Sequence, residues 1–226
     1  MPSILRQIDW FPLWLSLKVA VIATAVSLAA GLALAYVLAH YRFRGRNILD
    51  ALVTLPVVLP PTVLGYYLLV LLGRNTIFGR AYESVFGTSL VFTWQAAVVA
   101  ASIHSIPLLV KSARAAFESV DRNMGNAART LGASEWRIFF RVTLPLARRS
   151  ILAATVFAFA RALGDFGVTI MIAGNIPGKT QTMAVAIYDA VESGNTLAAN
   201  VMVLVISALA IGILYWTNRL EGERPY

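Results

Sequence analysis

Three stretches of the chain carry polar groups at intervals that suggest binding or reaction. Residues 173–180 read AGNIPGKT, the loose form of a phosphate-binding loop with Ala173 in place of its first glycine. In a working loop of this kind, backbone N–H groups and a lysine cradle phosphates between a strand and a helix. No strand is expected before this one, and Pro177 removes a donor from its middle. Gly-Asn and Pro-Gly are strong turn signals, so the preferred reading is a turn. Arg161 and Asp165 stand four apart inside an apolar run, which would set them on one helix face near the middle of a span. Ionisable groups at that depth either line a route for a charged solute or brace one helix against its neighbours. Residues 126–145, NAARTLGASEWRIFFRVTLP, form a charged amphipathic segment between apolar runs. Asp121 can cap a first short helix that ends at Gly132, and Ser134 a second that runs toward Pro145. A chain that keeps such a helical pair between two membrane spans offers it to a partner. With no cysteine, and with His40 and His104 each isolated, neither a metal cluster nor a cofactor is expected.

The elements that must hold these groups are membrane helices. Of the 226 residues, 58% are hydrophobic and 13% charged, whereas soluble domains sit near ~45–50% and ~25%. A helix rises ~1.5 Å per residue, so ~20 apolar residues cross a ~30 Å hydrocarbon core. Five stretches qualify, at about 13–40, 48–72, 90–110, 150–173 and 197–217. They make one membrane domain covering residues 1–226, with no internal repeat. The second contains Pro56, Pro60 and Pro61, a kinked span that a bundle tolerates because neighbours satisfy the freed carbonyls. The first run is too long for a cleavable leader and is expected to be retained. Residues 180–192 are too few to cross and are expected to form a half-inserted helix.

Lysine and arginine set the orientation. Thirteen fall on one side: Arg42, Arg44, Arg46, Lys111, Arg114, Arg122, Arg129, Arg137, Arg141, Arg148, Arg149, Arg219 and Arg224. Arg6, Arg74, Arg80 and Lys179 make four on the other. The basic side is expected in the cytoplasm, which puts the N-terminus outside and the C-terminus inside. Lys18, near the outer end of the first span, can snorkel to the headgroups. Trp10, Phe11, Trp14, Trp94, Tyr215 and Trp216 suit interfacial positions. The net charge of +8 is thus accounted for by topology rather than by nucleic acid. A soluble helical core fails because five runs of this apolarity cannot all be buried in 226 residues. An ion-coupled transporter would need acids in several spans, yet only Asp165 lies deep and Asp50 at an edge. A membrane enzyme would need His, Asp or Glu on facing spans, and no such set is legible.

Asn126, Ala127 and Ala128 are followed after three residues by Gly132, and after nine more by Val142, Thr143, Leu144 and Pro145. This resembles the signature loop of ABC importer permease subunits: Glu-Ala-Ala, three residues, Gly, nine residues, Ile-x-Leu-Pro. Asn126 stands for the family glutamate and Val142 for the isoleucine. Residues 54–66, TLPVVLPPTVLGY, resemble the second span of molybdate importer permeases, and 159–169, FARALGDFGVT, a segment shared by oxyanion importer permeases. The likeness runs from about residue 12 to 218. It implies an all-α integral membrane protein of the type I ABC importer permease fold, with five transmembrane helices and a cytoplasmic coupling-helix loop at about 121–145. It implies molybdate as cargo, with tungstate by the same route, and sulfate or thiosulfate as the alternative. It also implies a second copy of the chain, two ATP-hydrolysing subunits and an extracytoplasmic binding protein, in a bacterial cytoplasmic membrane.

Under that resemblance, Asn126, Ala127, Ala128, Arg129, Leu131, Gly132, Ala133, Trp136, Leu144 and Pro145 form the ATPase-docking loop. The alanines allow close approach; Leu131, Trp136, Phe139 and Phe140 are apolar anchors; Arg129 and Arg137 can pair with acids around the partner's cleft. Arg161, Asp165, Pro60, Pro61 and Thr62 are candidates for the translocation path. A strong cation in the path would trap an anion, so the brace is the preferred reading of Arg161 and Asp165. Gly164 and Gly167 are expected to allow close helix contact.

Overall fold

The computed structural model describes residues 9–222. Arg6 and Arg224, counted above, lie outside the described residues, as do the side chains of Arg122 and Trp216. Among the described residues every regular element is helical. The order is α1 (Phe11–His40), α2 (Arg46–Val58), α3 (Pro61–Leu72), α4 (Ile77–Phe86), α5 (Trp94–Glu118), α6 (Arg122–Thr130) and α7 (Glu135–Ile138). A π-helical turn (Phe139–Thr143) follows, then α8 (Leu144–Leu163), α9 (Gly167–Ala173), α10 (Met183–Glu192) and α11 (Thr196–Gly222). Four runs are long and apolar enough to cross: Phe11–His40, Trp94–Glu118, Glu135–Leu163 and Thr196–Tyr215.

The expected second span, 48–72, is not one helix. Its two halves, α2 and α3, meet at Leu59 and Pro60 with a bend of 114°. Proline lacks the N–H that would continue the ladder, and Pro60 is followed at once by Pro61. The pair is nonetheless a net crossing, because the helices on either side of it run parallel. Lys18 lies over Trp94, Ser27 Oγ donates to the Ser102 carbonyl, and Tyr36 packs edge-on against Phe117. These contacts advance together along α1 and α5. The chain leaves α1 at one end of the bundle and enters α5 at the other, so α2 and α3 must carry it across.

Three further boundaries differ from expectation. The third span runs from Trp94, capped by Thr93, to Glu118, well past residue 110. The fourth, expected as one helix over 150–173, breaks at Gly164 and resumes as α9. Pro145 does not end the second short helix: it sits in the first turn of α8, where a missing N–H costs little. The π turn before it widens the ladder, and Leu144 N–H reaches the carbonyl of Phe139. α4 was not anticipated; its first turn is capped by Thr76. Lys18 holds its ammonium 3.6 Å from the centre of the Trp94 ring.

Among the large aliphatic residues of the bundle core, such as Leu38 and Leu109, many small side chains are packed. Ala20, Ala23, Ser27 and Ala35 of α1 are fully buried, as are Ala97, Ala101, Ser105 and Ala113 of α5. Lipid supplies no hydrophobic drive between helices, so close packing of small residues carries the association. Interhelical hydrogen bonds add about 0.6 kcal/mol each; two of them run from Ser27 to Ser102 and from Ser105 Oγ to the Ala158 carbonyl. At the N-terminal end of α1, Ser16 Oγ accepts from Met183 N–H and seats α10 there.

Candidate functional site

The segment 121–145 stands at the bundle end where α1 and α5 finish. Asp121 Oδ1 accepts from Asn123 N–H and Ser134 Oγ from Arg137 N–H, so both expected caps form. Gly132 adopts φ +78°, a left-handed conformation that lets α6 turn into α7 and that a side chain would strain. Leu131 is 87% exposed and Trp136 75%, and Trp136 stacks on the exposed Phe140. Asn126, Ala127 and Arg137 are exposed as well, and Ala128 and Ala133 are half-buried.

Two residues of the segment make contacts within the chain. Phe139 is not an outward anchor: it packs on Tyr36 and Phe117, with ring centres 4.9 and 5.9 Å away, and seats the segment on the bundle. Arg129 is already engaged within the segment. Its Nε and Nη2 donate to the two Glu135 oxygens at 2.6 and 3.0 Å, and its Nη1 to Asn126 Oδ1 at 2.9 Å. The fork locks α6 to α7. The hydrogen bonds from Arg129 hold the Glu135 carboxyl below its usual range, despite some desolvation.

Inside the bundle, Asp165 sits at the break between α8 and α9 and not mid-helix, and is 3% exposed. Its Oδ1 accepts from His104 Nδ1 at 2.8 Å and from Arg161 Nη1 at 3.4 Å. Its Oδ2 accepts from Thr169 N–H at 3.2 Å and Thr169 Oγ1 at 2.6 Å. Arg161 Nη2 lies against the His104 ring, 2.6 Å from Nδ1 and 2.7 Å from Nε2. A lone carboxylate at this depth costs about 2.5–3.5 kcal/mol; four donors, one of them the Arg161 guanidinium, offset that. His104 was legible as a polar residue satisfied internally, and Ser102 is likewise satisfied by the Val98 carbonyl. Its partnership with Asp165, 61 residues away, was not legible.

The two interrupted helices meet at their interruptions. A methyl on Gly167 would come within 2.7 Å of Pro61, so this glycine is what lets the α3 entry press on the α9 entry. Gly164 makes no such contact; it ends α8. Pro60, Pro61 and Thr62 lie exposed on the side of the subunit. The stretch 173–180 is a turn with no strand before it. The Ile176 carbonyl accepts from the N–H groups of Lys179, Thr180 and Gln181, which turns inward the donors a phosphate would need. Among the described residues no group of three or more His, Asp or Glu could hold a metal.

Residues 27–221 match the family described as binding-protein-dependent transport system inner membrane component. The chain is 43% identical to the molybdenum transport system permease protein ModB of Escherichia coli (strain K12), over 98% of each. It is 39% identical to a putative molybdenum permease of Bacillus subtilis (strain 168), over 97% of each. Against the sulfate permease protein CysT of Escherichia coli (strain K12), identity is 33% over 97% of this chain and 83% of that one. An inward-facing structure of the MetNI methionine ABC transporter superposes with a TM-score of 0.76 at 18% identity, covering 97% of both chains.

Proposed function

The chain belongs to the family of binding-protein-dependent transport inner membrane components, and on that footing we propose that it is the permease subunit of an ATP-driven importer of molybdate, with tungstate by the same route. ATP hydrolysis belongs to a separate subunit. The observation that carries the substrate is the full-length 43% identity to a molybdenum permease, against 33% to a sulfate permease.

In this reading the chain is one membrane domain in a bacterial cytoplasmic membrane. The end bearing segment 121–145 and the arginine excess faces the cytoplasm, and the N-terminus is outside. Two copies pair around the route, two ATPase subunits dock on the two segments, and an extracytoplasmic binding protein delivers the anion opposite. α10 lies half-inserted at the outer face. Leu131, Trp136 and Phe140 are the anchors offered to the ATPase cleft, close to the small Ala127, Ala128 and Ala133. α7, the π turn and α8 are continuous through Leu144 and Pro145, so a push on Trp136 is delivered to the break at Gly164. There Arg161 pairs with Asp165, beside His104. An arginine paired in this way braces the helices without trapping an oxyanion, while Pro60, Pro61 and Thr62 form a wall of the route.

The test is competition uptake in cells expressing the complete system. Molybdate and tungstate compete with each other, and sulfate competes weakly. Deleting the ATPase abolishes uptake, and uncouplers leave it intact while ATP is maintained. Equal competition by sulfate overturns the substrate; uptake without the ATPase overturns the class.

A further inference from the structure

The turn between α1 and α2 alternates aromatic and basic residues: Tyr41, Arg42, Phe43, Arg44, then Gly45 and Arg46. Arg46 is engaged internally. It donates from Nε and Nη2 to the Leu38 carbonyl at 3.0 and 2.6 Å and lies 3.6 Å from Glu118. Arg42 and Arg44 are exposed and have neither an ion-pair nor a hydrogen-bond partner among the described residues. Beside them opens a cavity of about 420 Å³, lined by Arg42, Phe43, Gly45, Arg46, Asn47 and Ile48. No acidic side chain lines it. From its mouth an apolar stripe descends α2, with Ile48, Leu52 and Leu55 exposed one turn apart. No residue of α2 is buried.

Unpaired cations at the rim and an apolar track leading into the hydrocarbon match an amphiphile with an anionic head. A soluble oxyanion has no use for the stripe, and an uncharged apolar partner none for the arginines. We propose that this turn binds an anionic phospholipid, its phosphate held by Arg42 and Arg44 and an acyl chain lying on Ile48, Leu52 and Leu55. The site does not depend on which anion is transported. It adjoins the base of the segment 121–145: Asp50 of α2 pairs with Lys111 at 2.8 Å and Arg114 at 3.4 Å, and Arg114 with Glu118 at 2.9 Å. A lipid seated there holds the entry of the bent span at headgroup depth and stiffens the end on which the segment stands.

The complete transporter, stripped of lipid in detergent, is titrated with short-chain phosphatidylglycerol while its melting temperature is followed. The expected result is a rise of several degrees that phosphatidylcholine and inorganic phosphate do not produce. R42Q/R44Q weakens the apparent affinity roughly tenfold or more, at the scale of basic residues near an anionic surface. R42K/R44K keeps most of it. Neither arginine bonds to the protein, so the lipid-free melting temperature of R42Q/R44Q stays at the wild-type value and serves as the folding control. Equal affinities for wild type and R42Q/R44Q, or an equal response to phosphatidylcholine, overturn the proposal. A shift produced by inorganic phosphate alone means a soluble-anion site and also overturns it. The chain has no cysteine, so Leu52→Cys in membranes reports a second copy directly; efficient disulfide-linked dimers would mean that the copy, and not lipid, covers the stripe.

Discussion

The segment 121–145 and the break at Gly164 both join two helices at an angle, but they do so with different resources. The first uses local devices: a side-chain cap at each helix start, a glycine at φ +78°, and one arginine fork spanning six residues. Its surface is left open, with Leu131 and Trp136 outward. The second uses distant ones: a carboxylate held by His104 from another helix, and a glycine pressed on Pro61 from a third. An exposed junction can rely on its own residues and water. A junction in the membrane has no water, so every polar group needs a protein partner. The first junction is therefore suited to be grasped, and the second to resist until the helices beside it move.

The sharpest way to break this contrast is at Gly132. Gly132→Asp places a side chain in the left-handed region and a charge on the docking surface. Uptake is expected to fall to background, with membrane insertion and expression unchanged. Normal uptake by this variant removes the docking role of the segment. The next largest effect falls at the buried junction. Asp165→Ala leaves Arg161 and His104 without their acceptor, and a broken buried pair costs about 3–5 kcal/mol. The melting temperature of the purified complex should drop by many degrees. Arg161→Ala sharpens the reading: a brace predicts lower stability but near-normal uptake per folded transporter. A selective loss of uptake with stability retained assigns Arg161 to the route instead.

The smallest effect is expected at the Arg129–Glu135 fork. It is exposed, and such pairs are worth about 0–1 kcal/mol, so Arg129→Gln should lower ATPase co-purification only a few-fold. The Glu135 carboxyl titrates below its ordinary value in the folded chain. The contribution of the pair is therefore complete above the unfolded pKa and is lost as pH falls through the folded one. Co-purification should be flat between neutral and mildly alkaline pH and decline only on acidification below the usual carboxylate range. A decline on the alkaline side would mean that another group governs the contact.

Much of this was legible along the chain. Apolar length marked the crossings, because ~20 residues must cover the hydrocarbon wherever they lie. Asp121, Gly132 and Ser134 marked the short helices, because caps and left-handed glycines act within a turn of where they stand. The prolines warned of an irregular second span. Even the decoy at 173–180 was readable as a turn.

What the order of residues left open is how far a chain bends and what meets what. Proline states that a ladder is interrupted; the packing of α3 on α9 decides that the interruption becomes a 114° turn. The spacing of Arg161 and Asp165 states that they can pair. It does not say that α8 ends at Gly164, nor that His104, 61 residues earlier, completes the set. Phe139 and Arg129 were legible as contact makers, yet their partners turned out to be Tyr36, Phe117 and Glu135 of the same chain. Periodicity and capping are interactions over a few residues and are therefore written locally. Partnerships between helices depend on which faces the folded bundle presses together, and no local pattern encodes them.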